Sequence, residues 1–185
     1  MWRFLVLLFL TVQSAQAELV FDLNLFYLSD SFSYTDDSSN GRLTYDVMIG
    51  AGLDRRGKFV LGWNYSSFSF EDDPGDAEVT VAVTDMGPRI VYYFDKELTF
   101  NLALTYNLIT NGSYNSDTVE TELRGTSYRA EIGYTPKITE SLFIGAKLQY
   151  YVVSVAEEID ETTIEEVSYN RTFIYPTFTL TYRFR

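Results

Sequence analysis

The 185-residue sequence contains no cysteine and no histidine. Without cysteine no disulfide can staple the fold, so its stability must come from burial and backbone hydrogen bonding. Without histidine there is no Ser–His or Asp–His couple and no His-ligated metal, and only a site built from carboxylates and hydroxyls stays open to catalysis. Basic residues are scarce as well: 14 Lys and Arg stand against 26 Asp and Glu, a net charge of −12, which argues against nucleic acid as a partner. No segment approaches the roughly 20 apolar residues of a membrane-spanning helix. The one long apolar run, Phe4 to Val12, follows Met1-Trp2-Arg3 and precedes Ser14-Ala15-Gln16-Ala17. That is the form of a secretory leader with a small-x-small cleavage site, so residues 1–17 are read as a cleaved signal peptide and residues 18–185 as one domain. Loss of Arg3 with the leader moves the net charge from −12 to −13.

What the chain has in excess is aromatic side chains, at 17% of residues with 15 Tyr, a residue suited to water–lipid boundaries. They fall within segments of strict period-two alternation. Residues 19–29 set Leu19, Phe21, Leu23, Leu25 and Tyr27 against Asp22 and Asn24, and residues 42–53 set Leu43, Tyr45, Val47 and Ile49 against Arg42, Thr44, Asp46 and Met48. Similar alternation predicts strands over 59–70, 84–94, 98–108 (with Leu98 on the apolar face), 128–135, 142–152 and 172–185. Each of these eight is about the length, 9–11 residues, that a tilted transmembrane strand requires. The links after the first, third, fifth and seventh strands read as long polar loops, and the other three as short turns. The fold expected is all-β: an eight-stranded antiparallel up-and-down transmembrane β-barrel, with short turns on the periplasmic side and long loops outside the cell.

Alternation alone does not say whether the apolar face points into a soluble barrel or out into lipid. Two features favour lipid. With strands running alternately up and down, Tyr27, Tyr45, Tyr65, Tyr106, Tyr128 and Tyr150 fall on the apolar face near the long-loop end. Phe21, Phe59, Phe94, Phe100, Tyr134, Tyr182 and Phe184 fall near the other end, so two aromatic girdles flank an aliphatic band. The polar face carries Asp22, Asp46, Asp85 and Glu131 together with Arg89, Arg129, Lys147 and Arg183, four charges of each sign that would neutralise one another as an ion-paired plug in a shared interior. Arg183 is expected to answer an interior carboxylate such as Asp22. Pro88 and Pro176 fit poorly, because a closed barrel has no edge on which to place a residue lacking an amide hydrogen; local bulges are the expected remedy.

These features, with the terminal Tyr182-Arg183-Phe184, resemble the small eight-stranded outer-membrane proteins, the class of the OmpA membrane domain, OmpX and the opacity-type surface proteins. The resemblance covers residues 18–185 and is one of architecture. It implies a bacterial outer-membrane location, a monomer, and assembly signalled by a terminal aromatic residue, from which this chain departs by carrying Arg185 after Phe184.

The acidity lies in the loops. Residues 34–41, 71–78, 110–125 and 155–168 carry −2, −5, −2 and −6, together −15 against −13 for the mature chain. Such loops suit divalent cations, lipopolysaccharide or a basic partner, although Asp72-Asp73-Pro74-Gly75-Asp76 lacks calcium-loop spacing. The function expected is structural or surface-interacting, with outer-membrane lipid as the surroundings, no cofactor and no catalytic or metal site. A narrow transport channel and a soluble periplasmic ligand-binding barrel are the alternatives.

Overall fold

The computed structural model describes residues 18–32, 38–73, 79–116, 119–160 and 163–184. Residues 1–17, the expected leader, and Arg185 lie outside the described residues. Eight strands follow in chain order: β1 (Leu19–Phe32), β2 (Ser38–Gly52), β3 (Phe59–Asp73), β4 (Val79–Tyr93), β5 (Phe100–Ser116), β6 (Val119–Tyr134), β7 (Leu142–Asp160) and β8 (Thr163–Phe184). Each pairs antiparallel with the next, and β8 pairs with β1, from Leu19↔Phe184 to Leu25↔Phe178, to close the barrel. Closure satisfies the ladder on both sides of every strand and leaves no sheet edge at that level.

Much of what reads as polar loop is strand. Residues 110–116 and 119–125 continue the β5–β6 ladder from Thr110↔Gly125 to Ser116↔Val119. Residues 157–160 and 163–166 continue β7–β8 through Glu157↔Glu166 and Ile159↔Ile164. Neither stretch contains proline, so nothing prevents the ladder from running on once the hairpin is in register. β7, with 19 residues, is roughly 60 Å long at about 3.3 Å per residue. The hairpins therefore project well beyond the zone of the outward apolar residues.

The two prolines are accommodated differently. The β4–β5 register shifts between Met86 and Arg89, so Gly87 and Pro88 drop out of that ladder while still facing Asn64 and Trp63 on β3. The bulge brings the backbones so close that a Cβ on Gly87 would lie 2.1 Å from the Tyr106 carbonyl oxygen; only glycine fits. Pro176 pairs with Leu148 on β7 and sits just beyond the last β1–β8 pair, Leu25↔Phe178, so the missing amide falls where that ladder has ended.

Two of the three short turns are built on carboxylates, and in the third the Leu142 amide donates to the Thr139 hydroxyl at 3.1 Å. Asp54 accepts hydrogen bonds from the amides of Phe59 at 2.8 Å and Arg56 at 3.2 Å. Asp95 accepts from the amides of Thr99 and Phe100 at 2.9 and 2.8 Å and from the Thr99 hydroxyl. Leu98, expected on the outward face of the fifth strand, instead lies in this turn with φ +61° and is buried beneath the barrel. Burying a leucine is worth about 1.5–3 kcal/mol, enough to offset the roughly 1–2 kcal/mol of a left-handed residue.

Candidate functional site

The outward face carries the aliphatic and aromatic side chains. Leu25, Ile49, Trp63, Ile90, Leu102, Leu104, Ile132 and Leu148 are all exposed, Ile49 by 59% and Trp63 by 49%, which a barrel in water would not leave as one continuous band. Tyr27, Tyr65, Tyr106, Tyr128 and Tyr150 are exposed on this face. Tyr45 is half-buried against Tyr65, with ring centroids 6.4 Å apart. At the short-turn end Phe59, Phe94, Phe100, Tyr134, Tyr182 and Phe184 are exposed and Phe21 is half-buried. Neighbouring rings touch in the pairs Phe100–Tyr134 (4.8 Å), Tyr182–Phe184 (4.7 Å) and Tyr92–Phe94 (5.3 Å).

The inward face brings all eight singled-out charges into the interior, where every one is buried. Seven form one network. Arg89, fully buried on β4, reaches Asp46 on β2 at 2.7 Å, Asp22 on β1 at 3.1 Å and Glu131 on β6 at 2.5 Å. Lys147 on β7 lies 2.6 Å from Asp22 and 3.7 Å from Glu131. Arg129 lies 3.4 Å from Asp46 and 3.9 Å from Asp85. Ladder alternation alone places these groups on one face; barrel closure is what makes β1, β2, β4, β6 and β7 neighbours across the axis.

Four carboxylates and three cations do not balance, and Asp85 is the one without a close cation. Hydroxyls supply the difference. Thr110 and Ser127 donate to one carboxylate oxygen at 2.7 and 2.9 Å, Ser66 donates to the other at 3.3 Å, and the Tyr151 hydroxyl also donates there. The amides Asn24 and Gln149 add donors to Asp46 at 2.6 and 3.0 Å, and the Thr181 hydroxyl donates to Asp22. Charge counting misses these neutral partners, although their inward phase on the strands is the signal that finds them.

The eighth charge stands apart. Arg183 does not meet Asp22, which Arg89 and Lys147 already hold. Its register partner is Val20, one inward step nearer the barrel end than the Asp22↔Thr181 pair. From there the guanidinium reaches Glu18 at 2.7 Å and the Gly57 carbonyl at 3.0 Å, and stacks over Tyr93 at 4.5 Å.

The charged layer is closed above and below by apolar side chains on the same inward face, a feature that sequence reading overlooked. At the short-turn end Val20, Met48, Val60, Val91, Tyr93, Leu98, Ala103 and Phe143 form one buried cluster. Toward the long hairpins Phe68, Val81, Val83, Leu123, Tyr151, Val153, Val155 and Tyr175 form another. Tyr151 links the layers: its hydroxyl serves Asp85, its ring packs near Phe173 at 5.9 Å, and Arg129 lies 4.6 Å over its face. The ions answer one another and both ends of the charged layer are apolar, while buried polar atoms such as Nε of Arg89 and of Arg129, Oε1 of Glu131 and Oε1 of Gln149 have no protein partner.

At the hairpin tips the acidic residues face one another across the ladder in the pairs Glu157↔Glu166 and Glu158↔Glu165, and Tyr169 donates to Glu158 at 2.7 Å. No group of three His, Cys, Asp or Glu side chains able to hold a metal occurs among the described residues. Of the acidic run 72–76, residues 74–76 lie outside them.

No protein-family model matches the chain, and no curated protein matches it. Among solved structures the fold matches Neisserial surface protein A (NspA), with a TM-score of 0.50 and 12% sequence identity over 92% of this chain and 98% of that one. At that identity the likeness is one of fold, and the fold is an all-β, eight-stranded antiparallel up-and-down barrel closed into a ring.

Proposed function

We propose that this chain is an outer-membrane β-barrel protein of a Gram-negative bacterium, a monomer with a structural or surface-interaction role and neither an enzyme nor an open channel. The observation that carries this reading is the inversion of the barrel: its continuous apolar band faces outward between two aromatic girdles, while its charges are sealed inside. Lipid is the solvent that such an outer face matches. NspA, whose fold this chain shares, is by name a surface protein, which agrees with a surface role. The four acidic hairpin ends are then the parts that meet the outside, with divalent cations, lipopolysaccharide phosphates bridged by them, or a basic partner as the matching chemistry.

Heat-modifiable gel mobility of protein extracted from an outer-membrane fraction tests the location and the closed barrel together. The reading predicts a fast-migrating unheated form that slows after boiling. Protein that fractionates as soluble and shows no shift would overturn it and favour the ligand-binding barrel.

A further inference from the structure

Above the upper apolar layer, the mouth of the barrel holds a cavity of about 260 Å³ lined by Arg42, Phe68, Phe70, Arg171, Thr172 and Phe173. Its floor is aromatic: Phe68 and Phe173, from strands on different sides of the mouth, meet with ring centroids 4.6 Å apart. Arg42 on β2 lies 5.0 Å over the Phe70 ring, and Arg171 enters from β8. Both arginines are on the inward phase of their strands. The interior cations all have carboxylates, and the exposed Arg124 lies 3.8 Å from Glu122. Arg42 and Arg171 form no ion pair among the described residues, although the chain around the mouth is the most acidic part of the protein.

The wall beside this cavity is incomplete. β1 runs on to Phe32 and β8 begins at Thr163, yet their ladder stops at Leu25↔Phe178. Above that pair the Phe26–Tyr175 stack, with ring centroids 5.6 Å apart, is what joins the two strands. Leu28 and Ile174 stand exposed along the gap. Leu28, Ile174 and the Phe26–Tyr175 stack therefore offer an apolar chain contacts across the seam, between the outward band and the aromatic floor.

We propose that this cup binds a single-chain anionic amphiphile. Its carboxylate or phosphate head sits between the Arg42 and Arg171 guanidinia, and the first part of its chain rests against Phe68, Phe70 and Phe173. Guanidinium forks match both head groups in geometry and charge. A cationic head, which the aromatic rings alone would attract, is repelled by two arginines. The volume lies below the roughly 300–1,000 Å³ of drug-sized pockets, which admits one head and one chain and leaves no room for a two-chain lipid. The proposal goes beyond the surface-protein reading and depends only on the barrel mouth.

The test is NMR titration of the mature chain in zwitterionic phosphatidylcholine nanodiscs with carboxyl-¹³C laurate and, separately, with dodecyl phosphate followed by ³¹P. We expect a saturable head-group shift for at least one of them, the responding ligand telling carboxylate from phosphate. The double variant Arg42→Gln/Arg171→Gln should weaken that binding at least tenfold, while Arg124→Gln leaves it unchanged. All three residues are exposed, and retained heat-modifiable mobility shows that the variants fold. The absence of saturation by either ligand, equal affinity in the double variant, equal competition by neutral dodecyl maltoside, or equal affinity for inorganic phosphate would each overturn the proposal. Failure of the chain to enter nanodiscs counts instead against the membrane reading, and the same titration is then run on the soluble barrel.

Discussion

Arg183 on the last strand and Glu18 at the start of the first lie 2.7 Å apart at the short-turn end of the barrel. The same guanidinium accepts no replacement easily, since it also donates to the Gly57 carbonyl in the β2–β3 turn and covers Tyr93 and Phe143. One side chain thus joins the closing seam, a turn and the lower apolar layer. Arg183→Met should destabilise the barrel by about 2 kcal/mol, the scale of a charge-assisted hydrogen bond, and Glu18→Gln by less, because Glu18 lies at the rim. Urea titration read by gel mobility measures both.

Arg89 is the hub of the interior. Its removal leaves Asp22, Asp46 and Glu131 facing one another with Lys147 and Arg129 as the remaining cations. Breaking a buried ionic cluster by deleting one partner costs about 3–5 kcal/mol, so Arg89→Met is expected to lose stability on that scale. Arg89→Met/Glu131→Gln should cost less than the sum of its single changes, since it removes a charge that the first change orphans. A double-mutant cycle on unfolding free energies checks this.

Tyr151→Phe removes one donor from Asp85 while keeping the ring that packs on Phe173 and under Arg129. A loss of about 1.5–3 kcal/mol is expected for a hydrogen bond to a charged group, with no change in ion conduction. Phe68→Ala/Phe173→Ala thins the upper apolar layer but leaves the lower one intact, so it too should show no porin-sized steps in planar bilayers. Stable steps in the wild type would contradict the sealed interior.

Asp95 gives a pH signature in the β4–β5 turn. Partial burial pushes its carboxyl up, but hydrogen bonds from the Thr99 hydroxyl and the Phe100 and Thr99 amides outweigh burial and hold it below its ordinary value of 3.8. The lowered folded value means that the contribution is complete above about pH 4 and is lost as pH falls through the folded value. Asp95→Asn should therefore be less stable than the wild type at neutral pH, by about 1 kcal/mol for the weakened turn bonds. The difference should shrink toward zero in acid, as measured by urea titrations from pH 7 down to pH 2.

The barrel was largely legible in the sequence because period two is a backbone property: Leu43 to Ile49 and Tyr175 to Arg183 alternate whether or not their partners are known. The hairpin extensions were not legible, since residues such as Thr110 to Ser116 are polar on both faces and offer no apolar phase to read. Val81, Val83 and Phe68 were hidden for the opposite reason: near the mouth the apolar phase reverses, with Phe68, Val81 and Val83 inward and Ser67, Ser69, Thr80 and Thr84 on the other face. Leu98 fits the strand phase and is nevertheless in a turn, because its position is decided by burial under the barrel. The Arg183–Glu18 pair depends on a close approach of the first and last strands that no local pattern encodes.

Trp63 offers the most direct test of the claim that the outward band faces lipid. Apart from Trp2 it is the one tryptophan of the sequence, and it stands exposed in the apolar zone opposite Ile49 and Pro88. Protein comprising residues 18–185, reconstituted in vesicles of lipid brominated at mid-chain, should show strong quenching of Trp63 fluorescence and little quenching by aqueous acrylamide. Efficient acrylamide quenching with no effect of the brominated chains would contradict the account.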